Sequence, residues 1–441
     1  MSHHVAHPIT RDQLARLISK PTSRSLSLLC LVLAVIGFAV FAVGAFTGAS
    51  RAWQAFHFNW LFFTTVSSAG VMFAAAQRIT TARWSRPVIR IVEGMVAWLP
   101  IAWVLLAVSM VFGKRHLFLW MTDTPTVHEK QVWLEPTFFT VRTLAVYALI
   151  TVLSLWYVYR TVRLDVGVIP ESGSGWGKGL RDGMRRGFGD ERRELHSTHS
   201  MLGKLAVVLA LVFGFGWTML AWDLSMSTNY HFQSTMYGWQ VFMGGWIAMI
   251  MFWSLLLRFW RNHMGAHDVI TEHHFHDVGK LAFGFTAFWG YLTFSQYLVI
   301  WYGNMAEETH HIRLRLIEPW TPVTVSMAIL AFAVPFFGLL SKAAKVYTPT
   351  MALFALSGIV GIWLHRYLEI YPSFYGVVDH LPFGLWEIAI TLGFLGLWGW
   401  SYFAFMNAFP RIRVFMLTSP YRDEVQVPVD PKTMEPLPAH E

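Results

Sequence analysis

The chain has 441 residues, of which 55% are hydrophobic and 14% are charged, and its formal net charge is +8. Soluble domains carry about 25% charged residues, so this composition excludes an ordinary soluble globular protein. The basic surplus lies in loops between apolar runs, which argues against a nucleic-acid partner. The single cysteine, Cys30, excludes an intrachain disulfide and an iron–sulfur cluster held by this chain alone.

Ten apolar runs of membrane length follow one another along the chain. They predict an all-α, polytopic integral membrane protein with ten transmembrane helices. The first run is longer than the apolar core of a secretory signal peptide, so we expect it to be a retained helix. The predicted spans are 27–47, 55–77, 88–112, 137–160, 201–222, 237–258, 276–303, 321–340, 350–370 and 385–407.

The distribution of lysine and arginine supports the count of ten spans. Basic residues are frequent in both terminal tails and in the loops after spans 2, 4, 6 and 8, and they are sparse in the other loops. The positive-inside rule therefore predicts that both termini are cytoplasmic. The predicted organisation is an N-terminal tail (1–26), spans 1–4 (27–160), a flexible or amphipathic cytoplasmic linker (161–200), spans 5–10 (201–408) and a C-terminal tail (409–441).

Ionisable residues lie near the basic ends of two predicted spans. His276, Asp277 and Lys280 begin span 7, and their spacing places all three on one face of a helix. Glu93 lies about five residues into span 3, roughly 7–8 Å from the start of that helix. A carboxylate at this depth needs a partner or water, and we expect the partner to be Lys280. The alternatives are a structural ion pair between spans 3 and 7, and a proton path through these four residues.

Polar and aromatic residues also gather near the predicted outer face of the membrane. Together they are candidates for a polar pocket that suits a quinone head group. The alternatives are snorkelling or local pairing of Arg366 with Glu369, and plain packing of the aromatic side chains. The candidates for the quinone pocket are His57, Asp223, Tyr237, Trp239, His365, Arg366 and Glu387.

The segment that leads into span 7 is rich in histidine, with His263, His267, His273, His274 and His276. Such spacing can bind a transition metal, but a neutral juxtamembrane loop or a proton-collecting surface is the favoured interpretation. A b-type haem would need two facing histidines at matching depth, for which His57 and His365 are the candidates. We predict no metal site and no covalently bound cofactor in this chain.

Two sequence blocks carry a resemblance to a known family. The first comprises HDVGKL at 276–281, FW at 288–289, FSQY at 294–297, WYGN at 301–304 and EET at 307–309. The second comprises WDLSMS at 222–227 and QSTMYGW at 233–239. In these blocks the chain resembles the ActF membrane subunits of bacterial alternative complex III, which are similar to the NrfD and polysulfide reductase membrane subunits.

The resemblance implies both a fold and a context. The fold would be two four-helix bundles with one extra helix at each end, in the bacterial cytoplasmic membrane. The complex would oxidise quinol and pass electrons to cytochrome c or another acceptor. Iron–sulfur clusters and c-type haems would lie on partner subunits, beside a paralogous membrane subunit. This chain would bind quinone, lipid or neither, and the family motif falls on His276, Asp277, Gly279 and Lys280.

Three functions are therefore compared. The first is a membrane subunit of a quinol-oxidising complex, with Glu93, Asp277 and Lys280 as proton-relay candidates. The second is a structural scaffold of the same complex without a quinone or proton role. The third is a stand-alone secondary transporter, which is disfavoured because the two halves lack matching helices broken by glycine or proline.

Overall fold

The computed structural model describes residues 10–18, 20–121, 128–169 and 175–425. Every regular element in these ranges is helical. Ten long helical segments lie where the sequence predicts ten spans. They are α1 (Arg24–Phe46), α2 (Ser50–Ile79), α3 (Ile89–Leu117), α4 (Pro136–Val168), α5 (Glu191–Leu224), α6 (Tyr237–Met264), α7 (Glu272–Gly303), α8 (Thr321–Gly338), α9 (Thr348–Tyr375) and α10 (Leu385–Ala408).

Nine of these ten segments are long and apolar enough to cross a membrane, among the residues that the structure describes. The tenth, α7, has 32 residues, which is ample length, but it is not among the nine. Glycine, tyrosine and tryptophan lower the mean hydropathy of α7, as does the polar pair Ser295–Gln296. The structure therefore supports a multi-pass membrane protein and establishes nine candidate spans.

The predicted linker 161–200 is more helical than expected. Helix α4 runs on to Val168, a short helix covers Lys178–Arg185, and α5 already begins at Glu191. The Asp190 side chain caps α5 by accepting from the backbone N–H of Arg193, which satisfies an otherwise unpaired donor. The linker's residues 170–174, like residues 426–441 of the C-terminal tail, lie outside the described residues.

Helix α2 is the centre of the molecule. It contacts α1, α3, α5, α6, α9 and α10, and nearly all its side chains are buried although many are polar. Indole N–H groups of the surrounding helices donate to several of these polar groups. Trp98 donates to Thr64 at 3.2 Å, and Trp398 donates to Ser67 at 2.8 Å. The many tryptophans therefore serve the interior as well as the interfaces, because a polar central helix needs internal hydrogen-bond donors.

The helices pack in two consecutive groups. Helices α2 to α5 contact one another in order, and α5 returns to α2. Helices α6 to α9 do the same, and α9 returns to α6. Helix α10 packs along α1, where Gly37 and Gly393 let the two backbones touch. A Cβ added at Gly393 would lie 2.8 Å from Gly37 Cα, so only glycine permits this close approach.

The two ends of the molecule differ in charge. We call the end that contains the start of α1 and the end of α10 the basic end, and the other the opposite end. Arg181 Nη1 donates to the carbonyl of Ala408 at 2.7 Å, which fixes the short helix Lys178–Arg185 at the basic end. Ion pairs and hydrogen bonds join loops at both ends, and the candidate functional residues fall among them.

Candidate functional site

A cavity of about 190 Å³ opens at the opposite end, among α6, α7, α9 and the short helix Ala306–Arg315. Its polar lining includes Tyr237, Gln240, His365 and Glu369. Its apolar lining includes Leu368, Met327 and Ile312. We call it the Tyr237–His365 cavity. An apolar pocket with a few converging polar groups is typical of a ligand site, and this volume suits a single ring rather than a larger molecule.

Glu369 is the centre of the polar network in this cavity. Its carboxylate accepts from Arg366 Nη1 at 2.6 and 2.7 Å, and both side chains are buried. Ser225 Oγ lies 3.5 Å from Glu369 Oε2 and 2.7 Å from the Tyr237 hydroxyl, so a hydroxyl chain joins Tyr237 to the carboxylate. Arg366 also donates to the carbonyl of Val241 in α6. The expected local Arg366–Glu369 pair is present, and it is buried inside the protein.

His365 completes the polar wall. Its Nδ1 atom lies 3.0 Å from Glu369 Oε1 at an angle that does not make a hydrogen bond, so the two groups form an ion pair only when the imidazole is protonated. The ring meets the Trp289 ring edge to face at a centroid distance of 5.3 Å. A histidine held between an indole and a carboxylate can exchange a proton with a ligand in the cavity.

The rim of the cavity comes from the short helix Ala306–Arg315. Arg315 Nη2 donates to the carbonyl of Glu369 at 3.1 Å, and the His311 ring stacks on Phe232 at a centroid distance of 3.7 Å. Burial, reinforced by the nearby Arg315, holds the pKa of His311 well below its usual value. Burial also lowers the pKa of Arg315 to about 10. The rim therefore carries a neutral imidazole and one guanidinium cation.

Asp223 belongs to a different cluster from the cavity. Arg142 binds its carboxylate in a two-pronged pair, with Nη2–Oδ1 at 2.7 Å and Nε–Oδ2 at 3.0 Å. Trp133 and Thr143 add two further donors to the same carboxylate. The Arg142 guanidinium also lies over the Trp133 ring, 3.8 Å from its centroid. These donors use all the acceptor positions of the Asp223 carboxylate. The cluster joins α4 and the segment before it to the end of α5.

Three other predicted pocket residues also lie apart from the cavity. Glu387 is bound by Arg51 through two contacts of 2.7 Å and by the Tyr371 hydroxyl at 2.6 Å. His57 is buried, with its Nε2 atom 2.5 Å from the carbonyl of Leu224. Trp239 is 59% exposed on the outside of α6. The prediction that all these candidates line one pocket is therefore wrong. Of them, only Tyr237, His365 and Arg366 lie together, around Glu369.

At the basic end, Glu93 pairs with arginines and not with Lys280. Arg90 Nη1 lies 2.7 Å from Glu93 Oε2, and Arg413 of the C-terminal segment binds the other oxygen. Arg90 also binds Asp165 of α4 at 2.5 Å. The prediction that Glu93 pairs with Lys280 is therefore wrong. Glu93 and Asp165 instead form a closed group with the guanidinium groups of Arg90 and Arg413. This group joins α3, α4 and the C-terminal segment.

Lys280 has a partner within its own helix. Its Nζ atom lies 2.7 Å from Asp277 Oδ1, and the side chains are 56% and 28% exposed. Gly279 packs against the stem of Lys345, which belongs to the short helix Lys342–Val346 between α8 and α9. The face that carries Asp277 and Lys280 therefore lies at the margin of the bundle beside a connecting loop, and not in the protein interior. Among the described residues, no hydrogen bond or ion pair joins Glu93 to Asp277 or Lys280.

The histidines before α7 are dispersed. His274 accepts from the backbone N–H of Thr271 at 3.1 Å and so caps α7, and His263 stacks on Phe259. Within the described ranges, no group of three or more histidine, cysteine, aspartate or glutamate side chains converges as a metal site.

The sequence interpretation missed several cavity residues. Gln240 and Gln296 reach the cavity from α6 and α7, and His311 and Arg315 reach it from the loop helix. A usable signal in the sequence was the spacing of His311 and Leu314, three residues apart and so on one face of a segment that is otherwise mostly polar.

Comparisons with known proteins give no family assignment. The chain matches no protein-family model, and a search of curated proteins finds no similar sequence.

Proposed function

We propose that this chain is an integral membrane subunit of a quinol-oxidising respiratory complex in the bacterial cytoplasmic membrane, and that the Tyr237–His365 cavity receives the quinone head group. The observation that carries the proposal is the buried arrangement of Tyr237, His365 and Glu369 around one ring-sized space. The second sequence block that resembles the alternative complex III subunits supports it, because Gln233–Trp239 contains Tyr237 of the cavity wall and Trp222–Ser227 contains Ser225, which hydrogen-bonds to Tyr237.

The lining residues suit the chemistry of a quinol. Oxidation of a quinol to a quinone releases two protons and two electrons, so the site must accept protons beside the ring. His365 and Glu369 offer an imidazole nitrogen and a carboxylate, and the Tyr237 hydroxyl can donate to a quinone carbonyl. Electrons would pass to iron–sulfur clusters and c-type haems on partner subunits, because this chain has one cysteine and cannot hold such a cluster alone.

The membrane arrangement that we propose includes α7 as a tenth span. Its neighbours α6 and α8 are both candidate spans, and α7 packs against both of them. Helices α2–α5 and α6–α9 would then be the two four-helix bundles, with α1 and α10 as a flanking pair. The basic end, which contains the start of α1 and the end of α10, would face the cytoplasm under the positive-inside rule.

A structural scaffold is the second candidate function. It is favoured by the saturated clusters around Glu93 and Asp223, in which every charge has a partner. A proton path through Glu93, Asp277 and Lys280 stays a prediction, and the separation of Glu93 from the Asp277–Lys280 pair speaks for a structural role of Glu93. Both functions place the chain in the same complex. They differ in whether substitutions in the cavity change the quinol turnover of each assembled complex.

Isolation of the chain from its native membrane in mild detergent tests the complex. We expect c-type cytochromes and iron–sulfur subunits to co-purify, with a haem absorption spectrum. A homogeneous single-chain particle without haem would contradict the complex and would favour a transporter.

Site variants of the isolated complex test the cavity. We expect Glu369→Gln to lower quinol turnover per assembled complex by about 100-fold or more, as for the loss of a general base. We expect Tyr237→Phe to lower it about threefold to tenfold, as for one lost hydrogen bond. The matched control is Tyr302→Phe, since Tyr302 is 85% exposed. Unchanged turnover in both cavity variants, with a lower yield of complex, would leave the scaffold as the function.

A further inference from the structure

Two side chains of the Tyr237–His365 cavity hold buried polar atoms that no other part of the described chain satisfies. Gln296 of α7 is 8% exposed, and its Oε1 atom has no hydrogen-bond partner among the described residues. His311 of the short helix Ala306–Arg315 is 6% exposed, and its Nδ1 atom likewise has none there. Both residues line the cavity. Buried polar atoms are nearly always hydrogen-bonded, so these two atoms indicate a ligand that contacts them.

The chemistry of these two atoms is that of hydrogen-bond acceptors. The amide oxygen of Gln296 can only accept. Burial and the nearby Arg315 hold the pKa of His311 well below its usual value, so its imidazole is neutral. A neutral imidazole has one bare nitrogen, and His311 can present it at Nδ1 to a ligand that donates. The cavity therefore offers two acceptors to its ligand.

The donor nitrogens of the cavity wall, in contrast, already have acceptors within the protein. The amide nitrogen of Gln240 donates at 3.1 Å and that of Gln296 at 3.3 Å, each to the hydroxyl of a nearby residue. Arg315 donates from Nη1 and from Nη2 to backbone carbonyls. The hydroxyls of Tyr237 and Tyr297 can donate or accept, so they favour neither kind of ligand.

The two redox forms of the proposed ligand differ in the hydrogen bonds that they can make. A quinol carries two hydroxyl groups and can donate to Gln296 and to His311. A quinone carries two carbonyl oxygens, which only accept, and would leave both protein atoms without a partner. We infer that the Tyr237–His365 cavity binds the quinol form in preference to the quinone form, and that Gln296 and His311 distinguish the two. This inference rests on the proposed quinone function and adds selectivity for one redox state.

The preference favours release of the oxidised product. Oxidation removes both hydroxyl protons from the ring, so the ring loses its hydrogen bonds to Gln296 and His311. A buried acceptor that is left unpaired carries a substantial cost in free energy, and two of them correspond to a preference of about tenfold or more. The substrate therefore displaces the product from the cavity.

Competition against a photoaffinity label measures the preference at the cavity itself. The label is an azidonaphthol, which does not exchange electrons with the competitors, and the readout is labelling of the peptide that contains Tyr237 in the purified native complex. The competitors are dimethylnaphthoquinone and its hydroquinone, used without oxygen and with the haems reduced beforehand. We expect the hydroquinone to halve the labelling at a concentration about tenfold or more below that of the quinone.

The outcomes of this competition separate the inference from the proposed function. Equal protection by the two forms, or stronger protection by the quinone, would overturn the inference and leave a quinone site in the cavity. No protection by either form would contradict the proposed function, and the inference with it.

Removal of one acceptor tests the assignment to Gln296. Gln296→Met keeps the length of the side chain and removes the amide oxygen, so we expect the preference for the hydroquinone to fall below about threefold. The matched control is Gln54→Met in α2, because Gln54 is buried, bonds to the Tyr375 hydroxyl and does not line the cavity. It should keep the full preference. An unchanged preference in Gln296→Met would overturn the role of Gln296.

A second variant keeps the test decisive if Gln296→Met does not assemble. His311→Phe retains a ring that can stack on Phe232 and removes the acceptor nitrogen. We expect it to weaken protection by the hydroquinone about threefold to tenfold and to leave protection by the quinone unchanged. A purely structural role would weaken both forms alike, so equal losses for the two forms would overturn the role of His311.

Discussion

Arg90 Nη1 lies 2.7 Å from Glu93 Oε2, one helical turn away on the same helix, and neither side chain is exposed. The pair is completed by Asp165 and by Arg413, which is 320 residues beyond Glu93 in sequence. Because its four charges balance inside the protein, the cluster links the C-terminal segment to α3 and α4. Its stability depends on every member, since the loss of one leaves a buried charge without a partner.

Glu93→Gln should therefore be strongly destabilising. The substitution keeps the size of the side chain but leaves Arg90 and Arg413 with Asp165 alone. We expect a loss of about 3–5 kcal/mol in the free energy of unfolding, as for other broken buried ion pairs. Thermal unfolding in detergent and the yield of purified protein measure this. A change below about 1 kcal/mol would contradict a structural role for the cluster.

The Asp277–Lys280 pair should contribute little to stability. Its lysine is more than half exposed, and ion pairs of this kind are worth about 0–1 kcal/mol. A double-mutant cycle with Asp277→Asn and Lys280→Gln measures the coupling free energy. We expect it below about 1 kcal/mol. A coupling of several kcal/mol would mean that a partner buries this face of α7.

The α1–α10 contact should be intolerant of side chains at its glycines. A Cβ at Gly393 would lie 2.8 Å from Gly37 Cα, so Gly393→Ala must push the two helices apart. We expect a cost of about 1–3 kcal/mol in the free energy of unfolding, typical of overpacking. The matched control is Gly214→Ala in α5, where a Cβ meets nothing within 4 Å. There alanine should stabilise the helix slightly, and equal effects at both positions would contradict the packing.

His311 should make the opposite end sensitive to acid. Burial lowers its pKa in the folded protein, whereas the unfolded chain has an ordinary value of about 6.5. Below about pH 6.5 the unfolded state therefore binds more protons at this position, so stability falls as the pH falls. Arg315, His310 and His365 face His311 and add to the effect by repulsion.

The substitution His311→Phe tests this assignment. Phenylalanine can stack on Phe232 as the imidazole does and cannot take up a proton. We expect the melting temperature of His311→Phe to fall less than that of the unaltered protein between pH 7 and pH 5. The exposed neighbour gives the control, since His310→Phe should keep the full pH dependence. Parallel curves for all three proteins would contradict the assignment to His311.

The sequence predicted the helices better than it predicted their polar contacts. All ten predicted spans coincide with long helical segments, because apolar runs and terminal arginines mark the ends of membrane-length helices. Helix α5 starts at Glu191, ten residues before the predicted span 201–222, because its first three turns are polar and stabilised by the Asp190 cap and by Arg163–Glu194. Hydropathy does not detect such turns.

The polar partners depended on contacts between distant parts of the chain. Glu93 was expected to pair with Lys280. Its partners are instead Arg413, which comes from the C-terminal segment, and Arg90, which lies three residues earlier in the same predicted span. The predicted pocket residues likewise fall into separate clusters, because Asp223 pairs with Arg142 and Glu387 pairs with Arg51. Side-chain spacing along one helix shows which residues share a face, but not which helix that face meets.

The most direct test of the quinone proposal is photoaffinity labelling of the native complex with an azidoquinone, followed by mapping of the labelled peptides. We predict label on residues around Tyr237, Gln296 and His365, and protection of these sites by excess unmodified quinone. Absence of label at these residues, while another subunit of the same complex is labelled and protected, would contradict a quinone site in this chain.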